Sequence, residues 1–113
     1  MKTPGKPSRG STTGRPIMVL LDVLGKRWTL RILWELSQGP ATFRELQRRC
    51  DDISPTMVSK RVGELRELGF VTREAEGYGL TLLGHELAQE FISLEAWANR
   101  WAETRLDEQG DRK

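Results

Sequence analysis

Residues 42–70, TFRELQRRCDDISPTMVSKRVGELRELGF, contain the start and stop signals of two consecutive helices. Thr42 and Glu45 form a T-x-x-E capping box, in which each side chain can satisfy a free backbone N–H at a helix start. The apolar positions that follow predict a short helix with one buried face. Asp51 and Asp52 come next and are typical of a turn.

A longer second helix follows this turn. Ser54 is a preferred N-cap residue, and Pro55 occupies the first helical position, where its missing N–H costs nothing. Gly69 is a typical left-handed residue after a helix end. The pattern predicts a helix over residues 54–68, joined to the preceding one by a short turn, which is a helix-turn-helix.

Helical periodicity also precedes this pair. Pro16 can open a first helix, Gly25 interrupts the pattern, and residues 28–36 resume it with a broad apolar face. Gly39 followed by Pro40 ends this segment.

The pattern changes after Gly69. Residues 70–73 predict a short strand, residues 76–79 a tight turn, and Leu80-Thr81 the beginning of a second strand. A hairpin this short must pack on helices to be stable. Thr81 also caps a last helix that is expected to reach about residue 106. The predicted fold is mainly α with a small two-stranded β-wing, a winged helix-turn-helix.

Charge is unevenly distributed along the chain. Residues 1–15 carry four basic residues and no acidic ones, residues 25–73 are basic on balance, and residues 74–113 carry nine acidic and four basic residues. This asymmetry favours a polyanion-binding front, although chance clustering in a charge-rich chain is the alternative. We expect a disordered basic arm at 1–15, which contacts DNA or only aids solubility, a domain at 16–106, and a frayed tail at 107–113.

Composition argues against other classes of protein. Cys50 is the one cysteine and His85 the one histidine, so neither a disulfide framework nor a Cys/His metal cluster is expected. No nucleophile motif or phosphate loop is present, and we expect no enzyme activity and no cofactor. No apolar run approaches a membrane span, and a single cysteine is typical of a reducing cytoplasm.

The helix over residues 54–68 has one face suited to DNA. At about 100° per residue, Val58, Val62 and Leu65 share the core side, while Thr56, Ser59 and Lys60 lie outward near the N-terminal end, where recognition helices contact bases. Arg61 falls on the core side, which favours a phosphate contact or a structural ion pair over base readout. The predicted DNA contacts are Thr56, Ser59, Lys60, Arg61, Gly63, Arg66 and Arg73.

The last helix carries a long apolar seam. Its large apolar residues recur at steps of three and four, a spacing similar to that of a coiled coil, which predicts a subunit interface. The alternative is that the seam packs on its own domain. Trp28, Trp34, Trp97 and Trp101 could also line a pocket for a small-molecule effector, although tryptophans at helical spacing favour core packing.

Four segments resemble the HxlR family of winged helix-turn-helix regulators. They are LGKRWTLRIL at 24–33, GPATFREL at 39–46, the ISP-to-Gly stretch at 53–69 and LTLLG at 80–84. The resemblance implies a cytoplasmic homodimer that binds operator DNA and joins through its first and last helices. The interface residues predicted on this basis are Leu20, Leu21, Leu87, Phe91, Leu94, Trp97, Ala98 and Trp101.

Three departures from the family pattern qualify these expectations. Family members that sense electrophiles place a cysteine before the first proline, where this chain has Arg15, and Cys50 occupies a buried, inert position of the pattern. The wing is short and carries Glu74 and Glu76. Gly63 replaces a polar or basic residue. Two alternatives therefore stay open: a winged-helix protein-interaction module and a non-specific architectural DNA binder.

Overall fold

The computed structural model describes the backbone of residues 14–111 and the side chains of residues 14–108. The predicted arm at 1–15 therefore lies almost entirely outside the described residues. Five helices and two strands follow one another as α1 (Pro16–Leu24), α2 (Thr29–Ser37), α3 (Phe43–Arg49), α4 (Pro55–Glu67), β1 (Val71–Glu74), β2 (Gly77–Leu80) and α5 (Leu82–Asp111). The predicted mainly helical fold with a two-stranded wing is confirmed.

The predicted helix caps of α3 and α4 are present. The Thr42 hydroxyl accepts from the Glu45 N–H, and the Glu45 carboxylate accepts from the Thr42 N–H, both at 3.1 Å. At the start of α4, the Ser54 hydroxyl accepts from the Met57 N–H at 3.1 Å. Gly69 follows the end of α4 with a left-handed φ of 84°. Local sequence alone therefore fixes the bounds of the helix-turn-helix.

The turn between α3 and α4 is sharply bent. Asp51 and Asp52 both adopt left-handed φ angles, 59° and 56°, a conformation that short polar side chains tolerate better than most. Gln47 donates from Nε2 to the carbonyl oxygen of Ile53 at 2.9 Å. This bond ties the end of the turn back to α3 and so helps to fix the direction in which α4 leaves it.

The hydrophobic core is centred on α2. This helix contacts α1, α3, α4, α5 and β2, and three of its apolar side chains, Ile32, Leu33 and Leu36, are fully buried. The other helices, the wing and the connecting segments contribute one or a few buried apolar residues each, namely Val19, Val23, Ala41, Leu46, Cys50, Val58, Val62, Leu65, Val71, Leu80 and Ala88. Because α4 buries one face in this core, its opposite face is left at the surface.

The wing differs from its predicted bounds. β1 and β2 pair antiparallel from Val71–Leu80 to Glu74–Gly77, so the connecting turn is at residues 75–76 and the tight turn predicted at 76–79 is wrong. Tyr78 extends the second strand because its N–H and C=O also pair with the backbone of Ala41, at 2.7 and 2.9 Å. Gly77, with φ 137°, is required there, since a Cβ would lie 2.3 Å from the Ala41 carbonyl oxygen. Such long-range pairing is invisible to local turn signals.

The last helix begins where it was predicted and continues further. The Thr81 hydroxyl accepts from the Gly84 N–H at 3.0 Å, which confirms the predicted cap. The helix then runs to Asp111, past the predicted end at 106, so the tail predicted to fray begins as helix. Every described side chain from Ile92 to Glu108 is exposed, and this half of α5 projects away from the core.

Candidate nucleic-acid interface

Three predicted contacts lie together at the start of α4. Thr56, Ser59 and Lys60 are exposed, and with Phe43 and Pro55 they line a shallow depression on the surface. The buried side of the same helix holds them there through Val58, Val62 and Leu65. The depression thus presents two hydroxyls and one ammonium group, which can bond to base edges or phosphates.

Further along α4, the surface forms a groove against the wing. Gly63, Arg66, Glu67 and Thr72 line it, with Val71 at its base. A Cβ added to Gly63 would meet no atom within 4 Å, so packing inside the described part of the chain does not require glycine at this position. Gly63 instead leaves the middle of the helix open to close approach from outside.

Arg61 is placed differently from its neighbours. Arg61 is 9% exposed. Its guanidinium donates from Nε to the Arg27 carbonyl oxygen at 2.8 Å and from Nη1 to the Glu64 carboxylate at 2.7 Å. These bonds favour the structural ion pair over the phosphate contact, the two roles that its core-side position left open.

Glu64 also accepts a hydrogen bond from the Lys26 ammonium group. Burial opposes ionisation of this carboxylate, but the bonds from Lys26 and Arg61 outweigh it and hold the pKa of Glu64 below its usual value. The carboxylate is therefore charged at neutral pH and joins two cations from different parts of the chain.

Two basic residues of α3 escaped the sequence reasoning. Arg44 and Arg48 are exposed, four positions apart, and line a shallow depression with Gln47 and Asp52. In known helix-turn-helix proteins the first helix crosses the DNA backbone, which makes both guanidiniums candidates for phosphate contacts. Their spacing opposite the buried Leu46 was the signal available in the sequence.

The wing presents mixed charge. Arg73 is exposed, and its guanidinium carbon lies 6.0 Å from the centroid of the Tyr78 ring, at the limit of a cation–π contact. Glu74 and Glu76 are exposed beyond it. One arginine against two carboxylates makes the wing a weak phosphate-binding element.

The predicted interface residues divide into two groups. Leu87 and Phe91 are partly buried against the protein's own core, and Leu20 is half-buried. Leu21, Leu94, Trp97 and Trp101 are each more than half exposed, and Ala98 is exposed as well. The Trp97 and Trp101 rings stack with centroids 6.3 Å apart and planes 5° from parallel. The two tryptophans are thus not core residues, contrary to the preferred interpretation of their spacing.

An apolar cavity of about 360 Å³ lies between α2 and α5. Leu30, Trp34, Phe91 and Leu94 line it, with Arg31 and Glu95 at its polar edge. Of the four tryptophans considered for an effector pocket, Trp34 lines this cavity. Trp28 packs on the core instead, and Trp97 and Trp101 lie at the surface.

The cysteine and the first helix agree with the sequence interpretation. Cys50 is fully buried, and burial raises the pKa of its thiol above the ordinary value. Arg15 precedes Pro16 as the N-cap residue of α1.

Among the side chains at 14–108, no cluster of His, Cys, Asp and Glu could hold a metal ion. None of the described helices combines the length and apolar character needed to cross a membrane.

Comparison with known proteins decides the family. The HxlR-like helix-turn-helix family matches residues 23–106, which is most of the chain. The chain belongs to the HxlR family. The resemblance noted in the sequence is therefore confirmed, and the chain is a helix-turn-helix transcriptional regulator.

Individual known regulators are also similar to this chain. The HTH-type transcriptional regulator YodB of Bacillus subtilis is 31% identical over 101 residues, which cover 83% of this chain and 90% of YodB. The solved structure of quinone-bound YodB aligns with a TM-score of 0.68 and 33% identity, over 74% of this chain and 96% of that one. The solved structure of a possible HxlR-family transcriptional factor from Thermoplasma volcanium aligns with a TM-score of 0.67 and 26% identity. The alignment covers 74% of this chain and 82% of that one.

Proposed function

We propose that this HxlR-family chain binds specific double-stranded DNA as a homodimer, with α4 in the major groove, and regulates transcription in the cytoplasm without enzymatic activity. The observation that carries the proposal is the face formed by Thr56, Ser59 and Lys60. These exposed polar side chains lie at the N-terminal end of a helix whose other face is anchored in the core. Recognition helices present their N-terminal residues to base edges in this way.

The remaining contacts have distinct roles in this proposal. Arg66, which lines the groove next to the wing, and Arg73, which is exposed on β1, contact phosphates, as do Arg44 and Arg48 from α3. Gly63 allows the DNA to approach α4 closely. Arg61 supports the helix from behind and does not contact DNA, because its guanidinium is bonded within the protein.

The second copy covers the exposed half of α5. Leu94, Trp97 and Trp101 leave an apolar surface that a small domain would not expose without a partner, and Leu21 of α1 presents a further apolar side chain. Leu87 and Phe91 support the same helix from inside the protomer. In a twofold dimer, the two α4 helices reach half-sites about 34 Å apart, one helical turn of DNA.

Titration of the purified chain against DNA tests this function. The probes are the intergenic duplex upstream of its own gene and a scrambled duplex of equal length, each at low and near-physiological salt. We expect tight, sequence-dependent binding that persists at physiological salt. Equal binding to both duplexes that collapses with salt would identify an architectural binder, and no binding at low salt would identify a protein-interaction module.

A small-molecule effector is a second partner that the cavity between α2 and α5 supports. The cavity is apolar, and its volume of about 360 Å³ suits a small planar molecule. YodB is known in a quinone-bound form. Because the Cys50 side chain is fully buried and Arg15 precedes Pro16, binding here is non-covalent.

Calorimetric titration with 1,4-naphthoquinone tests the effector site. We expect saturable binding to the wild type that Trp34→Ala weakens and the exposed control Leu82→Ala leaves unchanged. Equal heats of binding for the wild type, Trp34→Ala and Leu82→Ala would show that the quinone does not bind in this cavity.

A further inference from the structure

The back of α4 is attached to the connection between α1 and α2 at two points. Arg61 donates from Nε to the Arg27 carbonyl oxygen at 2.8 Å. One turn further along α4, the Glu64 carboxylate accepts from Arg61 at 2.7 Å and from the Lys26 ammonium group. The bond between Arg61 and Glu64 links the two attachments, so they form one network.

The connection that receives these bonds is itself tightly held. The Lys26 N–H donates to the Val23 carbonyl oxygen, and the Thr29 N–H donates to the Lys26 carbonyl oxygen, each at 3.2 Å. Trp28, between them, has a left-handed φ of 77°. With both neighbouring helices anchored to it, Lys26 has little freedom to move independently of α1. A displacement of α1 therefore carries Lys26 with it.

We propose that Glu64 is a positioning residue that couples α1 to the DNA-reading helix α4 and thereby determines which half-site spacing the dimer accepts. This role rests on the proposed function, because α1 carries Leu21 toward the second copy and α4 carries Lys60 toward DNA. The bond from Glu64 to Lys26 then connects the subunit contact to the tilt of the reading helix. The coupling operates through an ion pair and needs no contact between Glu64 and DNA.

The burial of the network gives this coupling its strength. The side chains of Lys26, Arg61 and Glu64 are 17%, 10% and 21% exposed, so solvent screens their attraction only partly. If Glu64 loses its charge, Lys26 and Arg61 each lose their ion pair with it. The attachment of α4 to the α1–α2 connection is then loosened, while the core contacts of Val58, Val62 and Leu65 remain.

Charge-matched variants separate positioning from simple electrostatics. Glu64→Gln makes the protein more positive and, by charge alone, would strengthen DNA binding, whereas Lys26→Met would weaken it. The double variant has the net charge of the wild type, so charge alone predicts no change. Glu103→Gln is the control, because Glu103 is an exposed carboxylate on α5, about 200° around that helix from Trp101. A positioning role predicts weaker binding for both single variants and for the double variant.

The readout is affinity for a set of operator duplexes that differ only in half-site spacing. The affinities are measured under conditions in which circular dichroism shows that every variant is fully folded. We expect the affinity of the double variant for the duplex of preferred spacing to fall about tenfold, and its discrimination among spacings to become weaker. Its loss of affinity should be no greater than that of either single variant, because all three remove the same ion pair. Glu103→Gln should keep the wild-type preference.

A double variant with wild-type affinity and spacing preference would overturn the coupling and leave the proposed function intact. Absence of specific binding by the wild type would overturn both. If the double variant does not fold, Glu64→Asp replaces it, because it keeps the charge but is too short to hold both cations. Unchanged spacing preference in Glu64→Asp would equally overturn the role of Glu64.

Discussion

Arg61 and Arg27, which are 34 positions apart in the chain, are joined by a hydrogen bond of 2.8 Å from the Arg61 Nε to the Arg27 carbonyl oxygen. Lys60, the residue before Arg61, is exposed at the surface of α4. The two adjacent basic residues therefore have different roles. One attaches the helix to the protein, and the other is available to DNA.

Arg61→Met is expected to destabilise the fold. It keeps most of the side-chain volume but leaves the Arg27 carbonyl oxygen and the Glu64 carboxylate without this donor. Removing one partner of a largely buried pair costs about 3 kcal/mol. Urea unfolding measures the change, with Arg66→Met as the exposed control on the same helix, which should shift stability by less than about 0.5 kcal/mol. Equal shifts in the two variants would contradict a structural role of Arg61.

Lys60→Ala is expected to weaken DNA binding and leave the fold unchanged, because its ammonium group is exposed on the proposed reading face. Loss of one phosphate contact reduces the slope of log affinity against log salt by about 1. Fluorescence anisotropy at several salt concentrations gives both quantities. Arg105→Ala, which removes a positive charge from α5, should retain wild-type affinity. If both variants bind alike, the face assigned to DNA is wrong.

Gly63→Ala should have opposite effects on stability and on binding. A Cβ at this helical position meets nothing within 4 Å, so alanine gains its helix propensity and stabilises the protein by about 1 kcal/mol. If DNA approaches the helix closely here, the added methyl group weakens binding by about fivefold. Thermal unfolding of the variant tests the expected rise in stability, and DNA titration of the same preparation tests the expected fall in affinity. A stabilised variant with unchanged affinity would place the DNA elsewhere.

Trp101→Glu is expected to dissociate the homodimer. The substitution places a charge in the exposed apolar surface of α5 that we assign to the second copy, and it removes the ring that stacks on Trp97. Sedimentation equilibrium should show an association about a hundredfold weaker. The matched control is Asn99→Glu, an exposed position about 200° around the same helix. A Trp101→Glu variant that stays dimeric would exclude this part of α5 from the interface.

Cys50 should make stability fall at alkaline pH. Its buried thiol has a raised pKa, so the folded state favours the neutral form. This contribution is complete below the thiol's unfolded pKa of about 8.5 and is lost as pH rises toward the higher folded value. Urea unfolding of wild type and Cys50→Ala between pH 7.5 and 10, taken as a difference at each pH, isolates the effect. A pH-independent difference would show that the thiol titrates normally.

Much of the helix-turn-helix was predictable because its signals are local. The capping box at Thr42 and Glu45, the Ser54 cap and the left-handed Gly69 each depend on residues a few positions apart, and the structure has all of them. The exposed face of α4 was predictable for the same reason, since helical periodicity assigns Thr56, Ser59 and Lys60 to one side.

The features that sequence reasoning missed depend on distant contacts. β2 begins at Gly77 because Tyr78 pairs with Ala41, which no local turn signal reveals. The acceptor of Arg61 is a backbone carbonyl group 34 positions away. The apolar seam of α5 could not be divided by periodicity alone, because Phe91 packs on the core and Trp101 is exposed although both belong to the same spacing.

The close contact between Gly77 and Ala41 also bears on how the wing can change length over evolution. Gly77–Leu80 is paired with β1 on one side, and Tyr78 is paired with Ala41 on the other, so an insertion within this strand would shift both registers at once. The turn at residues 75–76 is exposed and lies outside both pairings. Longer wings can therefore arise by adding residues at 75–76, and a library that lengthens and diversifies this turn would alter the wing tip without disturbing the domain that carries it.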